Sequence, residues 1–264
     1  MSSVRAAFDQ ARANEDSLLV GYLPAGFPSV DGSIAAAKAM VQAGVDVMEI
    51  GLPYSDPVMD GPVIQDAVQH ALTNGVRIAD VFRTVKEVAA TGAPTLVMSY
   101  WNPIERYGVQ RFAQELAAAG GAGVITPDLT PEEADPWQQA CTEAGLETVF
   151  LLAPSSPDER IDKVDEVATG FVYAASTMGV TGARTQVGER AQELVTRIRQ
   201  RSAIPVAVGL GVSTPEQARQ VATYADGVIV GSAFVKLLLD APNELAGIDA
   251  VGALAKDLAA ATHN

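Results

Sequence analysis

The sequence predicts an α/β protein, specifically a (β/α)8 TIM barrel, on the strength of three observations. Eight short apolar segments with strand character alternate with helical segments, and no linker separates them. Several of these strands are nearly continuous apolar runs, as expected when both faces are buried. Small residues recur just before an apolar strand, in residues 43–48, 122–125 and 225–229, which suggests one reused βα unit.

Each predicted strand is an apolar run bounded by turn residues. The predicted strands are 18–23, 45–51, 94–101, 123–127, 147–152, 171–175, 205–209 and 227–230. The helices that follow them are 34–43, 64–72, 78–90, 109–119, 131–144, 158–167, 187–201, 215–222, 233–239 and 244–261. Residues 1–15 add a helix at the N-terminus, which we expect to cover one open end of the barrel.

These elements fit a single barrel domain over residues 1–264, with extra helices at the N-terminus and after the second and eighth strands. A doubly wound open sheet is the alternative architecture. Residues 21–26, after the first strand, lack the glycine pattern that such a sheet uses to bind a dinucleotide. In a barrel, the active site is expected at the C-terminal ends of the strands.

Composition excludes several classes of function. Acidic residues outnumber basic ones by 32 to 18, and a net charge of −14 disfavours binding to nucleic acid or to an anionic membrane. The only cysteine, Cys141, cannot form an internal disulfide. Residues 1–17 lack the apolar core of a signal peptide, and no apolar run reaches membrane-spanning length. A cytoplasmic protein is therefore expected.

The positions of the histidines, lysines and cysteine limit the kinds of catalysis that the chain can perform. The two histidines, His70 and His263, lie in a helix and next to the C-terminus, where they suit neither a usual metal site nor a catalytic triad. All lysines fall in predicted helices, so none stands at a strand end to form a Schiff base. Cys141 is also in a helix and is best read as a small buried side chain. Metal-free acid–base chemistry by carboxylates remains.

Two carboxylates stand where the barrel predicts a site. Glu49 is in the last turn of the second strand, where burying a charge is costly without a functional reason. Asp60 lies on the polar, proline-containing loop that follows. Each has a structural alternative: Glu49 could pair with an arginine, and Asp60 could be an ordinary turn residue in Asp-Gly-Pro.

Glycines after the last two strands predict an anion site. Residues 209–213 follow the seventh strand, and residues 231–233 follow the eighth and open a short helix. Glycine lets backbone N–H groups approach a phosphate, and a helix N-terminus favours its charge. Residues 177–186 form a glycine- and threonine-rich loop, which is either a flap over the phosphate or a long solvated turn.

With these residues in view, the chain resembles the tryptophan synthase α subunit family along nearly its whole length. The matching motifs read EIGLPYSDP and DGP in residues 49–62, GVTG in 179–182, GLG in 209–211 and GSA in 231–233. Tyr22 and Tyr54 depart from the family, which often has phenylalanine at these positions. The departures concern packing around the substrate rather than the reaction.

The resemblance implies retro-aldol cleavage of indole-3-glycerol phosphate to indole and glyceraldehyde 3-phosphate. It implies that Glu49 is the acid–base group and that Asp60 interacts with the indole N–H. The candidate substrate-binding residues are Tyr22, Tyr100, Tyr173, Thr181, Gly182, Gly209, Gly211, Gly231 and Ser232. No cofactor or metal is expected on this chain.

The resemblance also implies a partner, the tryptophan synthase β subunit, which carries pyridoxal phosphate and receives indole within an α2β2 assembly. Pro53 and Asp56, on the loop between the two acids, are the candidate interface residues. Two other functions stay open: a stand-alone indole-releasing lyase, and a non-catalytic barrel that only activates a partner enzyme.

Overall fold

Eight parallel strands close into a barrel in the order β1 to β8, and pairing of β1 with β8 completes it. A computed structural model describes residues 3–175, 184–209 and 211–263 of the chain. The strands are β1 Leu18–Pro24, β2 Val47–Gly51, β3 Thr95–Met98, β4 Gly123–Ile125, β5 Glu147–Leu152, β6 Val172–Ala175, β7 Val206–Gly209 and β8 Gly227–Val230. The predicted (β/α)8 barrel is confirmed.

Helices surround the barrel and cover its N-terminal end. They are α1 Val4–Ala13, α2 Val30–Gln42, α3 Pro62–Thr73, α4 Ile78–Ala89, α5 Trp101–Tyr107, α6 Val109–Ala118, α7 Asp135–Ala144, α8 Asp158–Val167, α9 Arg184–Arg199, α10 Pro215–Ala222, α11 Ser232–Asp240 and α12 Glu244–Thr262. The extra helices expected at the N-terminus and after β2 and β8 are present as α1, α3 with α4, and α11 with α12. Among the described residues, no helix is long and apolar enough to cross a membrane.

One expected strand is wrong at its end. The sequence predicts a strand over residues 94–101, but β3 stops at Met98 and Trp101 begins helix α5. Asp128, which follows β4, accepts a hydrogen bond from the Trp101 N–H at 2.9 Å and so satisfies a free donor at the helix N-terminus. A contact between residues 27 positions apart thus overrides the local strand pattern.

The barrel has two apolar layers. Met48 and Ile50 on β2 belong to the outer layer, between the sheet and its helices. Val47, on the opposite face of the same strand, belongs to the inner layer that fills the lumen. The alternation along β2 places Glu49 on the lumen side together with Val47.

Helix α1 closes the N-terminal end of the lumen, as the sequence predicts. Its Phe8 ring packs 5.1 Å from the ring of Phe171, inside the inner apolar layer. Glu147, at the start of β5, accepts hydrogen bonds from the first N–H groups of the helix, with Val4 N at 2.7 Å. Arg12, near its other end, forms an ion pair with buried Asp226 at 2.8 Å. With this end sealed, the strand C-terminal ends remain for a site.

Candidate active site

Glu49 lies in the lumen near the C-terminal end of β2. It pairs in register with Tyr22 on β1 and with Leu96 on β3, and it is only 1% exposed. Within the described part of the chain, its Oε1 atom has no hydrogen-bond partner. Loss of hydration therefore raises the pKa of Glu49 to about 8, so that the carboxyl holds a proton at neutral pH.

The structure offers no support for the alternative of a buried ion pair at Glu49. No ion pair of the described residues includes it, and burial is the cause of the raised pKa. An uncompensated carboxyl in a lumen costs free energy, which marks the position as a candidate for proton transfer.

Asp60 is half-buried on the loop between β2 and α3. Its Oδ1 atom accepts a hydrogen bond from the Tyr100 hydroxyl at 2.9 Å. Burial raises the pKa of Asp60, and the bond from Tyr100 opposes that rise. The turn into α3 is held by the main-chain carbonyl of Asp60, which accepts from Gln65 Nε2 at 2.7 Å. The carboxylate itself is therefore directed at Tyr100 rather than at the turn.

Tyr22 and Tyr173 border Glu49 from β1 and β6. The nearby charges of Asp60 and Glu49 add to burial in raising the pKa of Tyr22, and Glu49 does the same for Tyr173. The two rings lie across strand-end glycines: a Cβ at Gly51 would overlap the Tyr22 hydroxyl, and one at Gly209 would overlap that of Tyr173. Gly209 is thus required for packing, in addition to its predicted contact with phosphate.

Three further residues of the predicted phosphate site, Gly211, Gly231 and Ser232, follow the ends of the neighbouring strands β7 and β8. Gly211 has a φ of +66° and open space around its Cα, which suits a left-handed turn that admits a ligand. Gly231 precedes α11, which begins at Ser232 with no side-chain cap on its free N–H groups. A Cβ at Gly231 would lie 3.2 Å from Tyr22 Cδ1. Thr181 and Gly182 lie outside the described residues.

The loop between the two acids divides into buried and exposed parts. Pro53 is buried, whereas Asp56 is exposed and accepts a hydrogen bond from Ser55 Oγ at 2.5 Å. Val58 and Met59 are 75% and 46% exposed, which is unusual for large apolar side chains. The exposed surface of this loop therefore includes Asp56, Val58 and Met59, whereas Pro53 contributes little to it.

The sequence named Tyr100 as a substrate-binding candidate but placed it in a strand, and so missed that it stands at the start of helix α5. Tyr100 is the N-cap residue of this helix and reaches Asp60, and Asn102 Nδ2 donates to the Tyr54 hydroxyl at 2.9 Å. Asp128, which holds the helix start, was also missed. The signal was available, because Asp128 is an acid that directly follows the predicted strand 123–127.

The side chains set aside by the sequence have structural places. His70 stacks on Phe27 with 5.7 Å between ring centroids, and His263 Nε2 lies 2.9 Å from the carboxylate of Asp46. Cys141 is buried in α7, and burial raises its pKa. The lysines lie in helices α2, α4, α8, α11 and α12.

The comparisons with known proteins agree with this geometry. The family model described as "Tryptophan synthase alpha chain" matches residues 8–263. The chain belongs to the tryptophan synthase alpha chain family. A tryptophan synthase alpha chain of Streptomyces avermitilis is 61% identical over 250 residues, covering 94% of this chain and 90% of that protein. One from Salinispora tropica is 58% identical over 260 residues, covering 98% and 97%.

Solved structures of the family agree as well. A chain from a crystal structure of Mycobacterium tuberculosis tryptophan synthase matches with a TM-score of 0.92 and 50% identity, and each chain is covered completely. A tryptophan synthase alpha chain from Legionella pneumophila matches with a TM-score of 0.89 and 33% identity, covering 99% and 97%. Membership of the tryptophan synthase alpha chain family confirms the expected function, a lyase of tryptophan biosynthesis.

Proposed function

We propose that Glu49 and Asp60 perform the cleavage of indole-3-glycerol phosphate in this lyase, and that the products are indole and glyceraldehyde 3-phosphate. The observation that supports this assignment is the difference between the two carboxyls. Glu49 is buried with a pKa of about 8, and its Oε1 has no hydrogen-bond partner among the described residues, whereas Asp60 accepts a hydrogen bond from Tyr100. Two acids in unlike environments are suited to opposite tasks.

Glu49 begins as the proton donor. It delivers its proton to C3 of the indole ring, which creates a positively charged indoleninium. Asp60, as a carboxylate beside N1–H, stabilises that charge. The Glu49 carboxylate then removes the proton from the glycerol hydroxyl next to the ring. As the aldehyde forms, the C–C bond breaks, its electron pair restores the aromatic indole, and Glu49 holds a proton again.

The phosphate of the substrate binds at the ends of β7 and β8. Gly211 and Gly231 allow the backbone close to the ligand, and the N–H groups at the start of α11 face a negative charge favourably. Thr181 and Gly182 are proposed to cover the bound phosphate from the loop after β6. Tyr22, Tyr100 and Tyr173 line the part of the site that takes the indole.

Indole passes to a tryptophan synthase β subunit in an α2β2 assembly, and pyridoxal phosphate belongs to that subunit. The exposed side chains of Val58 and Met59 support a partner on the loop that carries Asp60. The proposed compartment is the cytoplasm, since Cys141 is a free thiol.

A direct assay tests the assignment. The purified chain is given indole-3-glycerol phosphate, and indole and aldehyde release are followed with and without β subunit. We expect Glu49→Gln to bind substrate and to lose ~10²–10⁴-fold in kcat. If the variant keeps more than about a tenth of the wild-type rate, Glu49 is not the acid–base group. If the wild-type chain is inactive alone and with the partner, the barrel is non-catalytic.

A further inference from the structure

Tyr100 makes two hydrogen bonds through one oxygen atom. Its hydroxyl lies 2.9 Å from Asp60 Oδ1 and 3.0 Å from the backbone N of Met59. A backbone N–H can only donate, so the Tyr100 oxygen is the acceptor in the second bond. The hydroxyl proton is then available for Asp60. The backbone of the loop thus fixes the direction in which Tyr100 donates.

We propose that Tyr100 is a positioning residue that keeps Asp60 ionised and aimed at the indole N–H, by donating to its carboxylate while anchoring the loop at Met59. The proposal rests on the proposed function and adds a cause for the division of labour between the acids. The hydrogen bond from Tyr100 is stronger to an ionised Asp60 than to a protonated one, so the bond favours the ionised form. Glu49 has no such donor at Oε1 among the described residues.

The structure holds Tyr100 itself in place. Its backbone forms the N-cap of α5, whose first N–H is bound by Asp128. The Tyr100 ring is buried and packs 5.6 Å from the ring of Tyr54. A side chain fixed at both its backbone and its ring can orient a partner group with little loss of entropy.

In the described part of the chain, charged and titratable groups approach Asp60 from three elements. Tyr100 approaches from the junction of β3 and α5, Tyr22 from β1, and Glu49 lies beside Tyr22 on β2. The side chains of Tyr22 and Glu49 are neutral or negative, so neither of them attracts a negative charge on Asp60. Tyr100 is the group that lowers the pKa of Asp60 against the effect of burial.

Tyr100→Phe is the test, because it removes the hydroxyl and keeps the ring. If Asp60 must be ionised and Glu49 protonated, kcat/KM has a bell-shaped pH profile with Asp60 on the acidic limb. We expect the variant to shift the acidic limb to higher pH, to leave the basic limb unchanged, and to lower kcat about tenfold or more with a smaller change in KM. A ¹³C NMR titration of the carboxyl group should show that the pKa of Asp60 rises in the variant.

Tyr54→Phe is the matched control. The Tyr54 hydroxyl also lies on this loop and accepts from Asn102, and among the described residues it forms no hydrogen bond with Asp60 or Met59. The Tyr54→Phe variant should therefore keep the acidic limb of the pH profile at the wild-type position. If the acidic limb does not move in Tyr100→Phe, or moves equally in Tyr54→Phe, Tyr100 does not keep Asp60 ionised. Its hydroxyl then contributes only to packing of the loop.

Asp60→Asn separates this failure from failure of the proposed function. If Asp60→Asn is inactive while Tyr100→Phe keeps the wild-type profile, only the inference about Tyr100 is wrong. If Asp60→Asn keeps wild-type activity, the assignment of Asp60 is wrong, and the inference falls with it.

Discussion

The hydroxyl of Tyr173 occupies the space that a side chain at Gly209 would need. A Cβ at Gly209 would overlap Tyr173 Oη and lie 2.6 Å from Cζ, far closer than atoms pack. Gly209 ends β7 and Tyr173 lies on the neighbouring β6, so the contact links a strand end to a ring that borders Glu49. Gly51 and Tyr22 repeat this arrangement between β2 and β1.

Gly209→Ala should therefore act through Tyr173. The added methyl must displace the ring, and we expect kcat/KM to fall about tenfold or more because the ring no longer borders Glu49 correctly. The measurement is a double-mutant cycle with Tyr173→Ala. In the Tyr173→Ala background, where the ring is gone, Gly209→Ala should cost little. Additive losses would mean that Gly209 acts on the phosphate independently of Tyr173.

The proton on Glu49 should be visible in the stability of the protein. The folded chain raises the pKa of Glu49 to about 8, from 4.5, so between these values the folded state holds a proton that the unfolded state has released. The free energy of unfolding therefore falls as the pH rises through this window. Glu49→Gln has no such proton, so it should gain stability over wild type from about pH 5 to about pH 8, by roughly 3–4 kcal/mol.

Urea unfolding of both proteins across this range measures the difference. At the acidic end both side chains are neutral, so the two stabilities should be similar. A difference that does not change with pH would mean that Glu49 has an ordinary pKa in the folded chain, and its role as proton donor at neutral pH would lose its physical basis.

The sequence predicted the features of the site that depend on short stretches of chain. Glu49 was identified because a single acid interrupts an apolar strand, and Gly211 because glycine runs follow the last strands. The contacts that complete the site join distant residues. Tyr100 and Asp60 are 40 positions apart, and Trp101 and Asp128 are 27 apart. No local pattern encodes such pairs, so Trp101 was assigned to the third strand and the rest of α5 to no element.

Contacts between distant residues also explain a smaller error in the predicted helix boundaries. The predicted helix over residues 131–144 is a 3-10 turn, Pro131–Glu133, followed by α7. Proline stands at the first position of the 3-10 turn and at the second position of α7, and the first turn of a helix tolerates both. Helical periodicity alone does not show where the chain breaks between them, because that depends on packing against α6 and α8.

Ser232 offers a test of the phosphate site that spares the fold. It is the first residue of α11, where a negative side chain favours the helix dipole by ~0.3–1 kcal/mol. Ser232→Asp should therefore melt at or above the wild-type temperature. It should bind glycerol phosphate more weakly, because the new charge repels the ligand, while binding indole as before. Ser232→Asn has nearly the same shape without the charge and should lose much less affinity. Calorimetric titration with both ligands measures this, and equal loss in the two variants would place the phosphate elsewhere.

Asp56 distinguishes a partner contact from a loop contact. It is exposed, and its partner within the chain is the adjacent hydroxyl of Ser55 at 2.5 Å. Its loop also presents Val58 and Met59 to solvent and ends at Asp60, whose position depends on the loop. A β subunit that binds the ordered loop should raise the rate of cleavage, and substrate should in turn tighten its binding.

Asp56→Ala should therefore lower the activation by β subunit more than it lowers the rate of the chain alone. Titrating β subunit into the alpha chain while following aldehyde release gives both quantities. Ser55→Ala is the matched control, because it removes the hydrogen bond to Asp56 and leaves its charge for the partner. If Ser55→Ala reduces the activation as much as Asp56→Ala does, Asp56 only stabilises the loop. If β subunit does not change the rate of the wild-type chain and no complex appears in sedimentation, a stand-alone lyase is favoured. The loop would then adopt its catalytic conformation without the β subunit.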